Sequence, residues 1–515
     1  MYSIRRTIIM FAVFVVCNSI LSADVLLPSF LWHHMVIQRN ADYPVWGWAS
    51  PGEKITVDFH GQKLSAVTGA DSLWKVSLKP MQAGGPFTMT VKGKNTVTLY
   101  NILIGDVWVC SGQSNMQWPV KYSANPEVEI AAGNHPKIRL FMVKKAGAAD
   151  PQKDCSGQWQ ECTPHTVGEV TGVGYYFVRE LEKNLDIPIG LVQSAWGGTD
   201  ISPWMSRAAI TANPDTKYLL DGWEKVIDDK PKEMLLHYEA VSGWFEYCFV
   251  QMSRRESYDP FPANPKGFTK GFGAPTWLFN AMIAPLTRFP VTGALWYQGE
   301  SDSGRGYMYR TLLKTLIKDW RAQWKAENLP FIVVQLANVG QPDKEPVDNG
   351  WAETREAELM ALELPKTGLA VTLDLGIAED VHYKNKQDAG RRSALSALHV
   401  AYGKDIPYTG PIYKSMTAEG GKIRLTFDHV GGGLTARNNE PLKGFAIAGA
   451  DKKFVWANAK IEGNEITVSS DKVAEPVAAR YAWSSNPVCN LYNKEGLPAS
   501  TFRTDDWPGA TRNKK

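Results

Sequence analysis

The chain has 515 residues, room for about three domains at roughly 150 residues each. It is 44% hydrophobic and 21% charged, so it can bury a large core, which excludes a disordered chain. The 56 Lys and Arg against 53 Asp and Glu leave a formal charge of +3, too balanced for a protein that grips nucleic acid by charge. One count is out of line: 19 Trp, as many as Tyr or Phe. Each indole offers a broad flat face and one N–H donor.

The N-terminus reads as an export signal over residues 1–23. Arg5 and Arg6 form a basic start, Thr7 to Ile20 an apolar run, and Leu21, Ser22 and Ala23 a small-residue cut before Asp24. Cys17, Asn18 and Ser19 offer a competing cut. The run is short for a membrane span, and no later stretch is long and apolar enough to be one. Removing Arg5 and Arg6 leaves 54 basic against 53 acidic residues, a net +1. The expectation is an exported chain, periplasmic or extracellular, with no nucleic-acid partner. Five cysteines remain, an odd number that leaves at least one without an internal partner. Cys155 and Cys162 flank a polar loop and are the best candidate bridge in an oxidising compartment. No CxxC or HExxH occurs, the nine His are scattered, and no Gly-rich phosphate loop is present. No metal and no cofactor are expected.

Residues 24–100 read as a β module. Stretches 44–48, 54–59, 74–78 and 87–91 alternate apolar and polar residues, punctuated by Pro51-Gly52 and Gly84-Gly85-Pro86. From 101 to 405 the pattern is α/β. Strands are expected at 102–109, 187–193, 293–297, 331–336 and 368–373, and helices at 175–184, 308–327 and 385–402. Such alternation implies a parallel sheet covered on both faces. Residues from about 205 to 275 interrupt the rhythm and read as an insertion. From 406 to 515 the chain is β again, with strands at 422–427, 445–447 and 465–468.

Four short segments of the α/β region stand at or just beyond the ends of expected strands. Ligands bind at the carboxyl ends of such strands. Ser111–Met116 (SGQSNM) puts Ser114 on a tight turn; Met116 stands where a GxSxG elbow has its second Gly. Ser194–Asp200 (SAWGGTD) offers Gly197 and Gly198, whose backbone N–H groups can approach a developing oxyanion. Trp296–Asp302 (WYQGESD) collects the Gln298 amide, the Glu300 and Asp302 carboxylates and Ser301; its Ser301 and Asp302 also suit a helix cap. Glu379–Gln387 (EDVHYKNKQ) places Asp380 two residues before His382, close enough for a carboxylate to fix an imidazole that serves as base to a serine. Taken alone, each is an ordinary polar turn or helix start; their weight lies in occurring together.

These motifs closely resemble the sialate O-acetylesterases, a carbohydrate-esterase branch of the SGNH hydrolases. So does the C-terminal run from Trp483 through Asn490–Pro498 (NLYNKEGLP) to Phe502 and Arg503. The resemblance implies a flavodoxin-like three-layer α/β/α core with β-sandwich-like modules at each end. It makes Ser114 the nucleophile, His382 the general base and Asp380 the residue that orients it. The Ser114 N–H, a Gly197 or Gly198 N–H and the Gln298 side chain would form the oxyanion hole. Two departures from the wider SGNH pattern stand out. Gln298 occupies a position where many SGNH enzymes have Asn, and the usual DxxH spacing would put Glu379 in the acid's place. The acid thus stays open among Asp380, Glu379 and Glu300.

The implied activity is hydrolysis of O-acetyl groups from sialic acid through an acetyl-serine, without a cofactor. An acetylxylan or other glycan O-acetylesterase would use the same serine chemistry. A glycan-binding protein without activity would make Ser114 and His382 dispensable. A lipase or thioesterase would need an apolar groove, which the polar, Trp-rich motif flanks do not suggest. Arg305 is one candidate cation for a sialate carboxylate. Trp108, Trp118, Trp196, Trp204 and Trp296 lie in or beside the motifs and are candidates to wall a sugar site.

Overall fold

A computed structural model describes residues 24–221 and 273–514. The expected export signal, Cys248 and most of the expected insertion lie outside the described residues. The N-terminal part contains β1 (Val36–Gln38), β2 (Tyr43–Trp48), β3 (Lys54–Phe59), β4 (Gln62–Val67), β5 (Leu73–Leu78) and β6 (Gly84–Lys92). β3 and β5 follow the expected alternation, with Ile55, Val57 and Phe59 buried along β3 and Trp74, Val76 and Leu78 along β5, whereas β2 is buried from Tyr43 to Gly47 without alternating.

The 17-residue strand β7 (Thr96–Gly112) runs straight through the expected boundary at residue 100. Its first half pairs antiparallel with β6, and its second half is the centre of the main sheet. That sheet also contains β8 (His135–Met142), β9 (Trp159–Cys162), β10 (Ile189–Ala195), β11 (Gly293–Tyr297), β12 (Phe331–Val334) and β13 (Thr367–Ala370). The order is β13-β12-β11-β7-β10-β8-β9, and only the edge strand β9 is antiparallel to its neighbour.

Alternate residues of these strands enter two different cores. Val107, Val109, Val192, Ala294, Trp296, Phe331 and Val333 face one side; Trp108, Cys110, Leu191, Leu295, Tyr297, Ile332 and Val334 face the other. Both faces are dry, which is why the strands read as continuous apolar runs. Helices α1 (Gly172–Leu185) and α4 (Lys386–Val400) pack together over the second side. Helices α2 (Gly306–Gln323) and α3 (Gly350–Met360) cover the first.

Helix α2 stops four residues short of the expected end at 327. Lys325 takes a left-handed conformation at φ 52°. Its N–H bonds Ala322 O at 3.0 Å, and the Ala326 N–H bonds Arg321 O at 2.9 Å. This is a Schellman stop built on Lys rather than Gly, so the residues gave no signal for it. α4 begins one residue after the expected start, because Asn385 caps it: its side chain accepts from the Asp388 N–H at 3.1 Å and donates to the Asp388 carboxylate at 2.9 Å.

The C-terminal region holds two four-stranded antiparallel sheets. One is built from β14 (Ile412–Glu419), β15 (Lys422–Asp428), β19 (Asn458–Glu462) and β20 (Glu465–Ser469). The other uses β17 (Phe445–Ala448), β18 (Val455–Trp456), β21 (Ala478–Tyr481) and β23 (Phe502–Arg503). β16 (Leu434–Ala436) and β22 (Leu491–Asn493) form a third pair. The region has its own apolar core and is fastened to α3 by the fully buried Arg355. Arg355 donates to Leu336 O and Ala337 O on one side and to Ser484 O and Ser485 O on the other, at 2.7–3.0 Å.

The expected Cys155–Cys162 bridge is not formed; both are free, buried thiols. Cys155 packs into the first core and Cys162 into the second, so the sulfurs lie on opposite sides of the sheet. Burial pushes both thiols up to about 12.

Candidate active site

The register of three neighbouring strands brings the first three motifs together. Gly112 on β7 stands opposite Ala195 on β10 and Tyr297 on β11. Ser114, Gly197 and Gln298 follow those positions by two, two and one residues, so their turns meet at the carboxyl edge of the sheet.

The nucleophile turn depends on Gly112. Its φ is +137°, and a Cβ there would lie 2.0 Å from Tyr297 O. Past it, the Gln113 N–H bonds Tyr297 O at 3.0 Å, and the Trp196 N–H bonds Gly112 O at 3.0 Å. A single helical turn, Ser114–Gln117, follows. Ser114 is partly exposed, whereas Gln113 and Asn115 on either side are buried. Gly197 packs so closely that a Cβ would come within 3.1 Å of the Ser114 Cβ.

The fourth motif is 266 positions further on, yet it is tied to this turn twice. The His382 ring stacks on Trp118 with centroids 4.8 Å apart and planes 8° from parallel. The Asn115 side chain donates to Val381 O at 3.0 Å. Asp380 Oδ1 accepts the His382 backbone N–H at 2.8 Å and lies 3.1 Å from Nδ1. With the proton on Nδ1, Nε2 is left as an acceptor. Glu379 is exposed and takes no part in this contact.

Glu300 is only partly exposed, with its Oε2 buried beneath the turn. Asn115 Nδ2 donates to its Oε1 at 2.5 Å, while Oε2 has no partner. Burial raises its pKa above the ordinary carboxylate range.

Three groups expected at the site have other partners in this geometry. The Gln298 amide is not turned to the site. It is fully buried: its Nε2 donates to Asp302 Oδ2 at 2.6 Å, and its Oε1 accepts from the Tyr309 hydroxyl at 2.9 Å. The Gly197 N–H is also engaged, by Gln117 Oε1 at 2.9 Å. Gly198 is the open one, exposed at φ +77° with nothing near its Cβ position. Arg305 is not a free cation. It is held by Asp302 at 2.7 Å and Asp200 at 3.3 Å, and its side chain is 16% exposed.

The five Trp divide. Trp108, Trp204 and Trp296 are fully buried core residues. Trp118 and Trp196 are partly exposed. Lys145 Nζ lies 5.4 Å from the Trp196 ring centroid, a cation at the site's rim.

The residues gave no hint of Asp302 as a keystone. Fully buried, it ties the Ile201 N–H (2.9 Å), Gln298 and Arg305 into one unit and so joins the second motif to the third. Burial pushes its carboxyl up, against the pull of Arg305. Among the described residues no cluster of His, Cys, Asp and Glu could hold a metal ion, and no helix is long and apolar enough to cross a membrane.

Known proteins are similar to the chain over most of its length. A family model described as carbohydrate esterase, sialic acid-specific acetylesterase matches residues 104–221 and 268–397. The sialate O-acetylesterase of Mus musculus is 30% identical over 528 residues, covering 92% of this chain and 93% of its own. That of Homo sapiens is 29% identical over 540 residues, covering 94% of each chain. A carbohydrate acetylesterase from Xanthomonas citri, known from its crystal structure, is 38% identical with a TM-score of 0.80, covering 94% of this chain and 100% of that one. The chain belongs to the sialic acid-specific acetylesterase family of carbohydrate esterases, and it is a carboxylic ester hydrolase.

Proposed function

We propose that the protein is exported and removes O-acetyl groups from sialic acid through an acetyl-serine formed on Ser114. Its fold is read as the flavodoxin-like α/β/α core of the SGNH hydrolases, carrying a β module at each end. The observation that carries the mechanism is the meeting of the Ser114 turn with an Asp380–His382 pair across the Trp118 stack.

His382 Nε2 takes the Ser114 proton as Oγ attacks the acetyl carbonyl. Asp380 holds the ring by Nδ1 and stabilises the imidazolium. The N–H groups of Ser114 and Gly198 receive the oxyanion, each such donor contributing roughly 2.7–4 kcal/mol. As the C–O bond breaks, His382 gives its proton to the departing sugar oxygen, and water then hydrolyses the acetyl-enzyme. With Arg305 neutralised, Lys145 beside Trp196 is a cation available to a sialate carboxylate.

The test is a panel of 9-O-acetyl sialic acid, acetylated xylan oligomers and an activated aryl acetate, run on the wild type and Ser114→Ala. Loss of all acetyl-ester hydrolysis in a folded Ser114→Ala protein supports the mechanism, and retained activity places the nucleophile elsewhere. A preference for acetylated xylan would move the substrate from sialic acid to plant glycans.

A further inference from the structure

Lys386 is an unexpected residue to find fully buried. It stands at the start of α4, four residues after His382. Its Nζ donates to Asn115 Oδ1 at 2.5 Å and lies 3.7 Å from the centre of the Tyr383 ring. Asn115 passes the connection on: its Nδ2 donates both to Glu300 Oε1 and to Val381 O, the carbonyl next to His382. One amide thus joins the nucleophile turn, the Glu300 turn and the histidine loop, with a buried cation at one end and a buried carboxylate at the other.

A buried Lys needs strong reasons to stay, since taking an ammonium from water costs several kcal/mol before any pairing offsets it. A Met or Leu would fill the same space at no such cost. The groups facing Lys386 are Glu300 from the turn after β11, Tyr297 at the end of β11, Asn115 from the nucleophile turn, and Asp380 and Tyr383 from its own loop. Glu300 in turn faces His382 and the buried Glu358 of α3. Burial lowers the ammonium to about 7 while Glu300 and Asp380 pull it up. Its charge is thus felt at Asp380, the carboxylate that holds the imidazole.

We propose that Lys386 is a positioning residue for the Ser114–His382 pair: through Asn115 it clamps the nucleophile turn to the histidine loop, and its charge opposes that of the imidazolium. The proposal rests on Ser114 and His382 acting as nucleophile and base. The sign follows from the charges. Removing a cation that faces Asp380 favours the imidazolium, so the base is lost at a higher pH. Removing the anion at Glu300 disfavours the imidazolium and moves the same limb down.

The experiment measures kcat and KM for an activated acetyl ester from pH 5 to 9, with the full-length wild type, Lys386→Met and Glu300→Gln. Expected for Lys386→Met are a kcat loss of about tenfold or more with KM within about twofold, and an acid limb raised by about 0.5 pH unit or more. Glu300→Gln, which keeps the shape of the side chain, lowers the acid limb. If Lys386→Met does not fold, the Glu300→Gln limb decides alone. Limbs that stay put, or move in the same direction in both variants, overturn the proposal, since a merely structural strut would do that. Ser114→Ala run alongside separates the two failures. Full activity there sinks the serine mechanism itself, whereas an inactive Ser114→Ala beside unmoved limbs sinks only the role of Lys386.

Discussion

Replacing Gly112 with Ala tests whether the register of β7, β10 and β11 really sets the nucleophile. A Cβ at this position would stand 2.0 Å from Tyr297 O, and such contacts are essentially never shorter than 3.0 Å. The carbonyl is backbone of a central strand, so it cannot swing aside as a flexible side chain would. The strands or the turn must therefore open by about 1 Å, and an error of that size in a reacting group costs about 100-fold in rate, or ~2.7 kcal/mol. The φ of +137° adds strain that an Ala cannot relieve. The assay is kcat/KM on an aryl acetate together with a thermal melt. Gly198→Ala is the control: its φ is also positive, but nothing lies within 4 Å of the new Cβ and its N–H is kept. The expectation is a loss of about 100-fold for Gly112→Ala and less than about tenfold for Gly198→Ala. A Gly112→Ala protein within threefold of the wild type would refute the argument that this close approach places Ser114.

Asp380→Asn lowers kcat/KM by about 100-fold or more, whereas Glu379→Gln stays within about twofold, because only Asp380 touches His382; equal losses in a steady-state assay would return the acid to doubt. Lys145→Met raises KM for an O-acetyl sialate about tenfold, equal to ~1.4 kcal/mol, and leaves KM for a neutral acetylated xylan oligomer unchanged; parallel changes would remove Lys145 from sialate recognition. Alkylation after unfolding without reductant, read by mass spectrometry, recovers Cys155 and Cys162 as modified thiols; a disulfide-linked peptide containing both would contradict their placement in separate cores.

Much of the core was legible because its signals are local. Alternation marked N-terminal strands such as β3 and β5, continuous apolar runs marked the parallel ones, and the first three motifs were found at strand ends, the fourth in the loop before α4. What was not legible depends on contacts between distant segments. Trp108, Trp204 and Trp296 were expected to wall a sugar site. Trp108 and Trp296 sit in strands with both faces buried, where a Trp carries no mark of which way it faces, and Trp204 closes a short 3-10 turn, Ser202–Trp204, that folds into the core. Gln298 and Arg305 looked free for chemistry because nothing in the residues announces Asp302 as their shared partner. The Trp118–His382 stack and the Asn115–Lys386 link span more than 260 positions, so only the folded chain reveals them. The Asp380–His382 contact, two residues apart, could be read from spacing alone.

The unbroken strand β7 has a consequence for how the molecule is made and handled. At roughly 3.3 Å per residue its 17 residues span at most about 55 Å, with a bend at Asn101, whose φ is 57°. One end is bonded into the N-terminal module, and the other ends two residues before Ser114. During synthesis the β6–β7 hairpin can close once residue 104 emerges, long before β10 and β11 exist to hold the far end. The first module thus serves as the bench on which the catalytic edge is later assembled. A shortened chain beginning at residue 101 would cut this strand and strip the antiparallel partner from what remains. Trimming the chain to its hydrolase core would unseat the nucleophile from a distance.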